Sequence, residues 1–158
     1  MPKLREIDAH DRKLLTLLQD DALLTADELA RAVALSPSAI TRRVRRLRED
    51  GTITANVAIV SDRVASLLSA LVDVQFERHA LDGVATFEAR LGASPLVQAI
   101  FEVTGSFDLT VIVTVADMDA FNVFADRMLA ADPVVRRYET RFIKRRRKFS
   151  TALPIDGG

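Results

Sequence analysis

Cysteine is absent from the 158 residues and histidine occurs only twice, at His10 and His79. Without thiols there is no disulfide framework, no thiolate nucleophile and no cysteine-ligated metal, and two isolated histidines make a poor metal cluster. No Ser-His-Asp or paired-carboxylate arrangement follows from the spacing, so no enzyme activity, cofactor or metal is expected. There is also no apolar run of about eighteen residues and no charged-then-apolar leader, so neither a membrane span nor a secretory signal is indicated. The expected compartment is the cytoplasm.

Net charge is lacking too: 22 basic residues balance 22 acidic ones. Taken alone, neutrality argues against a partner as acidic as DNA. The average hides a sorting along the chain. Residues 36–48 hold five arginines and no acid, residues 144–148 read Lys-Arg-Arg-Arg-Lys, and residues 61–143 hold seven arginines against twelve acids. A charge run is more often a solvated face than a binding site, so the sorting counts only where geometry agrees.

Geometry agrees over Ser36–Leu47. Ser36 is a good N-cap, and Pro37 suits the first helical position because it has the right φ and no amide to leave unpaired. At ~100° per residue, Ile40, Val44 and Leu47 form a narrow inner stripe, while Ser38, Arg42 and Arg45 point the opposite way with Thr41 and Arg46 on the flanks. A short, well-started helix with outward arginines is what a DNA groove accepts. Two helices precede it. Asp8 opens a pattern with Leu14, Leu15, Leu17 and Leu18 inward, ending near Gln19 and Asp20. Thr25 and Glu28 form a capping box for a second helix ending near Ala34. Only Leu35 and Ser36 then separate the second and third helices, a connection tight enough to force the steep crossing of a helix-turn-helix. After Asp50-Gly51 the stretch 52–60 alternates like a strand and is expected to form a wing.

The predicted division is a winged helix-turn-helix domain over 1–60, a linker over 61–67, a second domain over 68–149 and a tail over 150–158. In the second domain, strands are expected at 68–77, 96–104 and 108–115 and from Val134 to Lys148. Helices are expected at 82–92 and from Asp117 to the Asp132-Pro133 stop. The order βαββαβ predicts an α+β, ferredoxin-like domain: a four-stranded antiparallel sheet with both helices on one face. Leu71 and Ile112 put apolar side chains on the other face as well, which predicts cover by a second copy in a symmetric dimer.

Ile7-Asp8 with Asp11, Leu35-Ser36-Pro37-Ser38 leading to Arg43-Val44-Arg45-Arg46-Leu47, Gly51 with Ile53, and Thr104-Gly105-Ser106-Phe107-Asp108 occur in this order across nearly the whole chain. This pattern resembles the Lrp/AsnC, or feast/famine, family of transcription regulators. The resemblance implies binding to double-stranded DNA and a C-terminal domain that dimerises and builds tetramers or octamers. It also implies an amino-acid effector held in clefts between dimers. Two departures stand out. The family commonly has a glutamate or similar residue early in the DNA-reading helix where this chain has Ala39, Thr41 and Arg42, and the basic run 144–148 exceeds the family pattern.

Candidate DNA-contacting residues are therefore Ser36, Ser38, Thr41, Arg42, Arg43, Arg45 and Arg46. Ser38, Thr41, Arg42 and Arg45 are placed for base edges, and Arg43, Arg46 and Arg48 for phosphates. Candidate effector residues are Thr104, Gly105 and Asp108. A carboxylate and free turn amides supply the two handles an amino acid needs, although Gly and Asp are equally good formers of a plain hairpin turn. Two other readings stand beside the regulator: a weakly specific, architectural DNA-coating protein, and a sirohaem-decarboxylating relative in which the helix no longer reads DNA. The outward arginines and the scarcity of histidine disfavour the second.

Overall fold

Three helices build the first part of the chain, and local chemistry starts each of them. In the computed structural model, which describes residues 7–61 and 64–155, α1 runs Ala9–Asp20, α2 Ala26–Ala32 and α3 Pro37–Glu49. Asp8 caps α1 by accepting from the Asp11 amide at 2.8 Å. Thr25 and Glu28 close a reciprocal capping box on α2. Ser36 accepts from the Ala39 amide at 3.3 Å, with Pro37 in the first turn of α3. Leu14, Leu29, Val33, Ile40 and Val44 form the shared core, with Ile53 packed against it. Fully burying a side chain of this size contributes about 1.5–3 kcal/mol, which is what fixes α3 on α1 and α2. Helix α3 ends where Asp50 and Gly51 donate to Arg46 and Arg48 carbonyls, Gly51 taking φ +77°, a left-handed value that suits glycine.

The expected wing strand over 52–60 does not form. Ile53 folds back to donate to the Leu47 carbonyl at 2.8 Å, and the following residues are irregular, with Val57, Ile59 and Val60 exposed. Alternation creates a strand only if a neighbouring strand completes the ladder, and this segment meets none among the described residues.

The second part has the expected order: β1 Leu68–Phe76, α4 Val84–Gly92 after a short turn of helix, β2 Val97–Glu102, β3 Leu109–Val115, α5 Met118–Ala125 and β4 Val135–Phe142. The sheet order is β2-β3-β1-β4, all pairs antiparallel, which is the ferredoxin-like topology. Ala70, Val72 and Val74 of β1 and Leu109, Val111, Val113 and Val115 of β3 alternate onto one face. There they bury Phe87 and Leu91 of α4 and Phe121 and Phe124 of α5. A single π turn, Asp126–Ala130, extends α5 and keeps Leu129 buried. The opposite face is more polar at its centre than the expected apolar surface. Asp73 is buried there, accepting from Thr110 Oγ1 and Arg141 Nη2, both at 2.6 Å, between half-buried Leu71 and Ile112.

The last strand is shorter than the expected Val134–Lys148. Phe142 pairs with Ala70 and Ile143 still reaches Ser69, which sets Lys144 level with Leu68, the first residue of β1, so residues 145–148 run past the start of that strand and the whole run 144–148 stays exposed. The chain divides into two compact bodies, one of Met1–Ile59 with Lys148–Gly158 and one of Val60–Arg147. Within the first body the tail lies along α1. Gln19 holds the Leu153 backbone at both ends of its amide, accepting at 2.6 Å and donating at 3.1 Å, and Arg12 donates to the Ile155 carbonyl. Residues 62–63 of the expected linker and 156–158 of the expected tail lie outside the described residues.

Candidate nucleic-acid interface and effector turn

Helix α3 buries Ile40, Val44 and Leu47 and leaves Ser38, Thr41, Arg42, Arg45, Arg46 and Arg48 exposed. Ser38, Arg42 and Arg45 fall at i, i+4 and i+7, one stripe of a helix. Ser36 is engaged as the cap, its Oγ lying 3.1 Å from that of Ser38, and Thr41 donates back to the Pro37 carbonyl at 3.0 Å. Arg45 has only a loose ion pair with Glu49 at 3.7 Å, both side chains largely exposed, a pairing that water nearly cancels. Arg42 has no ion pair among the described residues. Arg42, Arg43 and Arg46 line a shallow notch of about 180 Å³.

Arg43 lies differently from its neighbours. It turns toward α1 and donates to Asp8 Oδ2 at 2.6 Å and Asp11 Oδ1 at 2.8 Å, while Arg46 donates to the other Asp11 oxygen. Asp11 is almost wholly buried at 1% exposure, so these two guanidiniums are its compensation. The Asp11 amide, and then the Arg43 hydrogen bond, hold the Asp8 carboxyl below the usual aspartate range, and the two carboxylates push Arg43 further up. The result is a clamp that locks α3 onto α1 through its inner arginine. Asp8 and Asp11 carry this role without having been picked out for it by sequence reasoning. The available signal was acids at i and i+3 opening α1, matched by arginines at i and i+3 on α3.

Thr104, Gly105 and Asp108 sit together on the exposed turn between β2 and β3. Gly105 takes φ +125°, a backbone that side-chain-bearing residues rarely adopt, although open space surrounds its α-carbon. Asp108 is partly engaged: Oδ2 accepts from the Phe76 amide at 2.8 Å and its own amide donates to Val74, fastening the turn to the end of β1. Gln75 donates to the Ser106 carbonyl at 3.2 Å, and Arg137 lies 4.7 Å over the Phe107 ring. Among the described residues no group of three or more His, Cys, Asp or Glu could hold a metal ion, and no helix is long and apolar enough to cross a membrane.

A capped helix-turn-helix bearing outward arginines, followed by a ferredoxin-like domain, defines a DNA-binding protein with an appended second domain. The winged helix-turn-helix DNA-binding pattern matches residues 7–54, and the Lrp/AsnC ligand binding domain matches residues 69–153. The chain belongs to the Lrp/AsnC family of DNA-binding transcriptional regulators. It is 36% identical to an uncharacterised helix-turn-helix regulator of Sinorhizobium fredii, over 96% of this chain and 90% of the relative. It is 33% identical to the Bkd operon transcriptional regulator of Pseudomonas aeruginosa, over 95% and 99% of the two chains. Among solved structures, a Neisseria meningitidis transcriptional regulator in complex with L-methionine superposes with a TM-score of 0.86 at 32% identity, covering 96% of this chain and 98% of that one. An AsnC family regulator of Agrobacterium tumefaciens gives 0.84 at 30% identity, covering 94% and 97%.

Proposed function

We propose that the protein is a sequence-specific regulator that binds DNA as a dimer or an assembly of dimers and responds to an amino acid or a similar small effector. The carrying observation is the α3 surface: Ser38, Arg42 and Arg45 stand exposed on one stripe of a helix that is capped at Ser36 and clamped through Arg43. In this reading residues 1–60 bind DNA and residues 68–149 dimerise and sense the effector. Ser38, Thr41, Arg42 and Arg45 meet base edges, Arg46 meets a phosphate with the donors Asp11 leaves free, and Arg43 sets the angle of the helix from inside. A dimer presents two such helices to major grooves one turn, about 34 Å, or a multiple apart.

At the effector turn, the Asp108 oxygen not bonded to Phe76 receives an ammonium group. The amides around Gly105 and the Thr104 hydroxyl receive a carboxylate. The L-methionine complex of the Neisseria relative supports an amino acid as the ligand class. The effector acts by preferring one assembly state, so its coupling to DNA must be reciprocal and limited by its differential affinity. The protein works in the cytoplasm, with no catalytic role. Genome-wide mapping of bound fragments tests the DNA half, with discrete sites expected and uniform coating contradicting it. For the effector half, dialysed and amino-acid-loaded protein should differ in assembly mass or operator affinity; identical values in both would refute it.

A further inference from the structure

The helix-turn-helix body is nearly neutral for a DNA binder. Residues 1–59 carry ten Lys and Arg against nine Asp and Glu, and two of those arginines, Arg43 and Arg46, are paired with Asp8 and Asp11. The densest positive charge of the chain lies elsewhere, in Lys144-Arg145-Arg146-Arg147-Lys148. All five side chains are exposed, and no carboxylate among the described residues pairs with Lys144, Arg145, Arg147 or Lys148. Among the described residues the run pairs with no strand, so it adds nothing to the sheet.

The last residue of the run and the tail beyond it lie within the first body. Lys148 belongs to that body, and five residues on, Leu153 is held on α1 by both polar atoms of the Gln19 side chain, with Ile155 held by Arg12. Five residues reach at most about 17 Å, so the last cation cannot stray far from the helix-turn-helix core. We propose that the basic run 144–148 is a second DNA contact, gripping backbone phosphates, and that the tail bound to α1 is the strap that holds its last cation, Lys148, to the helix-turn-helix body. The proposal rests on the DNA-binding reading above and adds to it a sequence-independent surface on the C-terminal side of the chain.

A neighbouring copy's acidic residues are the competing partner: Asp82, Glu88, Glu102, Asp119 and Asp126 make no ion pair among the described residues and are open to it, whereas others are committed within their own fold. Asp73 holds Thr110 and Arg141, Asp108 the Phe76 amide, Asp117 the Ala120 amide, Asp132 Arg90, and Glu139 Arg137. A duplex offers unpaired negative charge every ~1.7 Å, and neutralising it releases counterions, which gives the contact a measurable signature.

The test uses the full chain in which Lys144, Arg145, Arg147 and Lys148 are together replaced by Gln, bound to two duplexes of about 30 bp, one recovered by mapping and one scrambled, across a salt series. The expected slope of log affinity against log salt is shallower by about 0.9 for each phosphate no longer neutralised, up to ~3.6 per protomer. The gap between unaltered and substituted protein then narrows by up to ~150-fold from 50 to 200 mM salt. The ratio between the two duplexes stays unchanged, because phosphates carry no sequence. Gln19→Ala, which frees the strap without touching a cation, should lower the slope by a smaller step. Parallel slopes for unaltered and substituted protein overturn the proposal, as does a fall in assembly mass with slopes unchanged, which would assign the cations to a neighbouring copy. An unaltered protein that binds neither duplex at 50 mM salt removes the DNA reading itself, a different result from parallel slopes.

Discussion

Replacing Asp11 with Ala removes the anion on which the α1–α3 clamp is built. Its side chain is 2% exposed, against 23% for Arg43 and 54% for Arg46. Breaking a fully buried pair by deleting one partner costs about 3–5 kcal/mol, whereas an exposed pair is worth about 1 or less. Asp8 still holds Arg43 at 2.6 Å in the variant, so the stranded charge keeps one partner and the cost falls between these limits, about 2–3 kcal/mol. For a body of this size each kcal/mol shifts the midpoint by about 4–8 °C, which predicts a thermal transition lowered by about 10–20 °C. Asp11→Asn, which keeps the shape and one acceptor, should lose less. Circular dichroism melts of the full chain, followed at the helical signal, measure both. A variant within ~0.5 kcal/mol of the unaltered protein, the usual range for an ordinary surface change, would refute the clamp.

The same cluster predicts a pH dependence. Because the Asp8 carboxyl is held below its ordinary value in the folded state, its contribution is fully present above about pH 4 and is lost as pH falls through the lowered value. The melting midpoint should therefore drop on acidification below pH 4, and Asp8→Asn should flatten that drop. Gly83→Ala would set a new methyl 2.6 Å from Val134 Cγ2, so the ferredoxin-like domain should lose about 1–3 kcal/mol in a denaturant titration. Gly105→Ala forces a side-chain-bearing residue to φ +125° and should cost about 1–3 kcal/mol of stability, with effector response in a DNA-binding assay reduced as the turn relaxes.

Features set by near neighbours were legible in the sequence. The caps at Asp8, Thr25 and Ser36 act over three residues, and each is found where the side-chain chemistry requires it. The strand order of the second domain follows from alternation and the two intervening helices, and the buried faces of β1 and β3 match it. Features needing a partner distant in the chain were not legible. Residues 52–60 alternate convincingly yet lack a ladder. The basic run 144–148 continues β4 in composition, but from Arg145 on it lies beyond the first residue of β1. Arg43 reads as one more outward arginine until Asp11, 32 residues earlier, is brought beneath it. Asp73 on the open sheet face likewise depends on Arg141, 68 residues away. In the candidate effector turn the residue types were visible, but the engagement of Asp108 by the Phe76 amide depends on the strand pairing.

The proposed function rests on base-pair reading by the exposed stripe of α3. Selection of bound duplexes from a random library, run in parallel on the unaltered chain and on Arg42→Ala and Arg45→Ala, measures this directly. The expected motif has two related half-sites one helical turn or a multiple apart, and each substitution costs about 1–3 kcal/mol in affinity while relaxing preference at its own position. An unchanged motif bound with unchanged affinity by both variants would contradict base reading by α3.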